Sequence, residues 1–192
     1  MLKLRKANSI LKLVLVLDLV LFVLSVPQAG ADDKNVRLIE AAAAGQTDKI
    51  QQLLASGADP GAKDQFGTTP LMHACWYGRT GAVKLLLEAK ADVNAKNNRG
   101  VTALMWSSRN GPNGLVKLLL DHGADVNARD NDGSTALIWA AGEWDTEIVN
   151  LLVSKGADVN VKDKKGRTAL QLSQKGAHDK TVQLLKARGA RE

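Results

Sequence analysis

Three histidines and one cysteine are the side chains best suited to chemistry near neutral pH in this 192-residue chain. They do not gather. His73, His122 and His178 lie far apart, and none falls with Cys75 or with carboxylates at the short fixed spacings that metal sites use. His122 precedes Gly123, a place where a helix ends and a cation or donor suits the C-terminal dipole. Cys75, the sole cysteine, cannot form an intrachain disulfide and reads as a small buried thiol. No glycine-rich phosphate loop, serine-nucleophile motif or isolated pair of carboxylates stands out. These residues give no catalytic centre and no metal or cofactor site, so the expectation is a non-enzyme. What does recur is Asp, Asn, Gly and Thr, the residues that build turns and cap helices.

The recurrence has a period. Gly123 to Leu137 reads GADVNARDNDGSTAL, and 33 residues later Gly156 to Leu170 reads GADVNVKDKKGRTAL. Earlier copies are KADVNAKNNRGVTAL from Lys90 to Leu104 and GADPGAKDQFGTTPL from Gly57 to Leu71. Gly67, Gly100, Gly133 and Gly166 stand 33 apart, and a cut-off copy starts at Gly189. A constant period of this size means stacked copies of one supersecondary unit. Within each unit Thr69, Thr102, Thr135 or Thr168 can cap a short apolar helix, and Pro70 occupies the next position, where its missing N–H costs nothing. A second helix carries an i, i+3, i+4 stripe such as Val83, Leu86, Leu87. Gly-Ala-Asp closes it, and Asp130-Asn131-Asp132-Gly133 has the composition of a hairpin-like turn. Pro112 is expected to start the second helix of its copy.

This pattern resembles the ankyrin repeat over roughly residues 32–192. Asp64 to Gly78, DQFGTTPLMHACWYG, and Asp130 to Ala141, DNDGSTALIWAA, carry the resemblance, whose signature continues with a second helix ending Leu-Leu and then Gly-Ala-Asp-Val-Asn, as at Gly123 and Gly156. Local departures are Met72, Met105, Ile138 and Gln171 in place of a histidine, Lys90 in place of a closing glycine, and Trp144 in place of a linking one. The resemblance implies an all-α solenoid of about five stacked helix-turn-helix units with protruding β-hairpin-like loops. The units run over about 32–63, 64–96, 97–129, 130–162 and 163–192. Gln52 and Lys186 replace apolar residues of the inner copies, as terminal caps require, so both ends of the array are expected to be present.

Residues 1–31 differ in character. Four basic residues fall within the first twelve positions, Leu13 to Val26 is nearly all Leu and Val, and Ala29-Gly30-Ala31 is a small-residue site. That order is a secretory signal peptide cleaved after Ala31. The apolar run is shorter than the roughly 20 residues of a membrane span, although Asp18 lies within it. The alternative is an uncleaved anchor. Net charge is +6 overall, but residues 1–31 hold four basic residues against Asp18, which leaves +3 for the rest. That excess is too small to argue for nucleic acid.

In arrays of the kind resembled, loop tips and first-helix surfaces line a concave groove that meets protein partners. The positions here that match are Phe66, Trp76, Tyr77, Arg99, Arg109, Asn110, Asp132, Glu143 and Lys165. Phe66 and Tyr77 are expected to be exposed, and Trp76 could either anchor a partner or pack over a neighbouring helix. Trp106 and Trp139 recur at one repeat position and are read as helix packing, outside the site. The expected function is non-catalytic protein binding in a periplasmic or secreted setting, bacterial by the look of a signal peptide on so short an array. The alternative is a membrane-tethered scaffold or assembly subunit that keeps residues 1–31. No cofactor or nucleic acid is expected, and membrane only in the alternative.

Overall fold

A threonine every 33 residues starts the first helix of each full copy, by the mechanism its spacing predicts. The hydroxyls of Thr69, Thr102, Thr135 and Thr168 accept from the amides of Met72, Met105, Ile138 and Gln171, at 3.2 to 3.4 Å. Each bond satisfies a first-turn N–H that has no partner within its helix. The computed structural model describes residues 34–143 and 145–191. The expected signal peptide over 1–31 and the departure at Trp144 lie outside the described residues, as does the side chain of Asn110.

Five helix pairs follow in order: α1 Lys34–Ala44 with α2 Thr47–Ala55, α3 Pro70–Trp76 with α4 Thr80–Glu88, α5 Ala103–Asn110 with α6 Asn113–Asp121, α7 Ala136–Ala141 with α8 Thr146–Ser154, and α9 Ala169–Lys175 with α10 Asp179–Ala187. Among the described residues there is no strand. The hairpin-like loops are instead tight turns, each closed by one pair of backbone bonds. In the second copy these are Asp64 N to Thr68 O at 3.1 Å and Gly67 N to Asp64 O at 2.9 Å, and the same pair recurs at 97–101, 130–134 and 163–167.

The core lies between neighbours rather than at a centre. Leu71, Leu104, Leu137 and Leu170 from the first helices are buried, as are Leu86, Leu119, Leu152 and Leu185 from the second. Burying each such side chain contributes about 1.5–3 kcal/mol, and Leu119→Ala in the middle of the array would cost about 2–5 kcal/mol. First helices of successive copies pack against one another more extensively than second helices do. The first-helix side is therefore the more closely packed of the two, as the concave side of the array expected above would be. No described helix is long and apolar enough to cross a membrane.

Two backbone links depart from the plan. Lys90, in the place of a closing glycine, is held at φ 65°, and Ala177, in the place of the linking Gly78, at φ 56°. Both are conformations in which a Cβ is crowded. The link of the third copy avoids the problem another way: Gly111 is extended, at φ −86° and ψ 161°, because the residue before a proline is pushed out of the helical region. Pro112 itself does not start α6 as expected. It is the cap residue, at ψ 144°, and the first helical residue is Asn113.

Candidate interaction surface

The loops stack before they can present anything. Asn98 N donates to Phe66 O at 2.9 Å, Asn131 N to Arg99 O at 2.9 Å, and Lys164 N to Asp132 O at 2.8 Å. These bonds hold the tips of copies two to five in one row, and thereby line up Phe66, Arg99, Asp132 and Lys165. Phe66 is 57% exposed, the one large apolar side chain so placed among the described residues. Arg99, Asp132 and Lys165 are exposed as well.

At the base of the turns of copies two and four an aspartate ties the tip to the helix beneath, while the third copy has Asn97 at this place. Asp64 Oδ1 accepts from the amides of Phe66 and Thr68, both at 2.8 Å, while Oδ2 lies 3.0 Å from His73 Nε2. Burial would raise this carboxyl, but the His73 bond and the two amides outweigh it and hold it below the ordinary value. In the fourth copy Trp139 takes the place of His73, and its indole Nε1 donates to Asp130 Oδ2 at 3.0 Å. In the fifth, buried Asp163 accepts from Arg167 Nε at 2.8 Å and from the amides of Lys165 and Arg167. Burial again pushes upward, but the Arg167 bond and the two amides together outweigh it, and the carboxyl is lowered.

On the helices behind the tips, Trp76 meets Trp106 edge to face with ring centroids 4.0 Å apart, and Trp106 meets Trp139 the same way at 5.1 Å. Arg109 places its guanidinium 5.8 Å from the Trp139 ring centre and its Nε 3.3 Å from Glu143 Oε1. All three tryptophans are partly exposed. Edge-to-face pairing contributes about 0.5–1.5 kcal/mol per pair beyond area burial, so the ladder is both a packing device and a fixed aromatic surface.

Trp76, Arg109 and Glu143 are thus brought together, and Phe66, Arg99, Asp132 and Lys165 form the adjoining row. Tyr77 departs from expectation: it is partly buried as the C-cap of α3, its amide donating to His73 O at 3.1 Å. Asn110 is the last residue of α5. Trp106 and Trp139, set aside as packing residues, do pack, yet they also continue the surface that Trp76 begins. Trp76 stands one helical turn beyond the His73 position, which in a stacked array brings it against Trp106 of the next copy.

Cys75 is fully buried, and burial alone pushes its thiol above the ordinary range. Among the described residues no group of His, Cys, Asp and Glu is arranged to hold a metal ion. The family model described as ankyrin repeats (3 copies) matches residues 38–130 and 125–191. No curated protein matches the chain.

Proposed function

The chain belongs to the ankyrin-repeat family, whose arrays are generally protein-interaction modules, and on that premise we propose that it binds a protein partner through the concave first-helix face. The observation that carries the reading is the ladder Trp76–Trp106–Trp139, braced at its end by Arg109 and Glu143. Preordered aromatic rings lose little entropy on binding and are the commonest energetic centres of interfaces. Phe66 at the adjoining tip adds an exposed anchor.

We further propose that the array works outside the cytoplasm, because a basic, apolar and small-residue order precedes it in the sequence. The mass of the protein recovered from its source separates the two forms. Loss of residues 1–31 supports export, and their retention supports the tethered scaffold.

Binding is tested by pairing the wild-type chain with a variant carrying Phe66→Ala and Trp76→Ala, checked for folding by circular dichroism. A protein captured by the first and weakened at least about tenfold on the second, a loss typical of an interface centre, supports the concave face. Equal capture by both would place the contact elsewhere.

A further inference from the structure

Charge is unevenly spread along the array. Residues 34–162 hold fourteen Lys and Arg against fourteen Asp and Glu, while residues 163–192 hold eight against three, a net of +5. The concave positions change in step with it. Along the tips the order is Phe66, Arg99, Asp132, Lys165, and at the ends of the first helices it is Trp76, Arg109, Gly142, Lys175.

Cations of residues 34–162 are matched in number by carboxylates, and three of them pair directly, although Arg99 at its tip makes no ion pair with a described residue. Arg109 pairs with Glu143, and Lys117 and Lys155 both pair with Asp121. In the fifth copy the loop carboxylate, Asp163, is buried and already paired to Arg167. Lys164, Lys165 and Lys175 are exposed and make no ion pair with a described residue. Solubility of a terminal copy requires polarity, but not a single sign of charge.

We infer that the fifth copy receives an acidic segment of the protein partner, whose apolar part lies along the tryptophans of copies two to four. This rests on the concave-face reading above. A uniformly charged polyanion following the same face would run past the exposed carboxylate of Asp132 in the fourth copy and be repelled there. A protein segment can place its carboxylates at one end only, and potentials matched in this way select partners more than they add affinity. Ammonium groups are point charges on flexible stems and can follow carboxylates of unfixed geometry.

The test uses the full chain and two fluorescein-labelled probes, hexaglutamate and hexaglutamate joined to a Trp-Leu-Trp segment, read by fluorescence anisotropy at low and physiological ionic strength. One variant carries Lys164→Gln, Lys165→Gln and Lys175→Gln. Its control removes the same charge from α10 and its C-cap through Lys180→Gln, Lys186→Gln and Arg188→Gln, with circular dichroism confirming both folds. The expected result is binding of both probes, weakened about tenfold by the first variant, less than about threefold by the control, and reduced by salt. Equal weakening by both variants overturns the inference, as does failure of both probes to bind. So does tighter binding to single-stranded DNA or to anionic vesicles than to either probe. If Phe66→Ala with Trp76→Ala leaves the longer probe unaffected while the lysine variant weakens it, the aromatic reading falls and the cationic end stands. If only the aromatic variant matters, the reverse holds.

Discussion

Gly61→Asn should stabilise the array by completing a ladder that the structure leaves with one missing rung. At the closing turns, Asn94 donates from Nδ2 to Gly123 O at 3.0 Å and accepts at Oδ1 from Asp125 N at 2.8 Å. Asn127 does the same to Gly156 and Asp158, and Asn160 to Gly189 and Arg191. Asn35 supplies the accepting half in the first copy, to Asp59 N at 2.8 Å. The position 33 residues before Asn94 is Gly61, which offers neither atom to Lys90 O or Asp92 N. A cavity of about 360 Å³, lined by Pro60, Gly61, Lys63, Asp92, Asn94 and Lys96 among others, lies at that place. The local backbone is already right: Gly61 N donates to Asp59 Oδ1 at 2.8 Å, as Asn94 N does to Asp92 Oδ1 at 2.9 Å.

Two exposed hydrogen bonds add a net of roughly 0.5 kcal/mol each, the low end of the usual range. Replacing glycine where no left-handed conformation is needed adds about 0.4–1 kcal/mol through the unfolded chain. The expected gain is about 1–2 kcal/mol, or a melting temperature higher by roughly 3–6 °C for a chain of this length. Thermal unfolding followed by circular dichroism measures it, with Gly61→Ala as the control that gains the entropy without the bonds. Should Gly61→Asn melt at or below Gly61→Ala, the rung contributes nothing and the reasoning is refuted.

Lys90→Gly removes the side chain crowded at φ 65° and should raise stability by about 1 kcal/mol, read as a shift in denaturant midpoint with unchanged slope. Ser108 Oγ is fully buried with no hydrogen-bond partner, so Ser108→Ala should stabilise by about 1 kcal/mol; a loss of stability in the same melt would show that the hydroxyl is satisfied. Acid should weaken the array through Asp64 and Asp163, whose carboxyls are lowered in the folded state. Their contribution is complete above the unfolded value of about 3.9 and is lost as pH falls through the lower folded values. A variant with Asp64→Asn and Asp163→Asn should therefore be less stable at pH 7 and show a flatter decline below about pH 4. Asp121, held down to about 2 by Lys117 and Lys155, is exposed and solvent-screened, so Asp121→Asn should change that profile little.

Much of this protein is written in one dimension. A period of 33 makes every threonine cap, every buried leucine and every loop aspartate predictable from its copies, because each repeat meets only its neighbours. Even Lys90 could be marked as a strained closing residue from its place in the series, and it stands at positive φ. The hairpin-like loops were legible as turns, though their pairing is too short to form strands.

What the sequence could not decide is how residues of one copy face those of the next. The period repeats Trp106 and Trp139 and so marks them as packing, yet only the stagger between helices brings Trp76 against Trp106 and joins the two packing residues to it as a continuous aromatic surface. Tyr77 reads as an exposed residue at the end of the first helix, yet as the cap residue there it is partly buried. The empty place at Gly61 likewise has meaning only once Asn94, Asn127 and Asn160 are seen reaching across to the following copy. Spacing along the chain specifies which surfaces repeat. Rotation and offset between stacked units, set by side-chain packing, specify which of them meet.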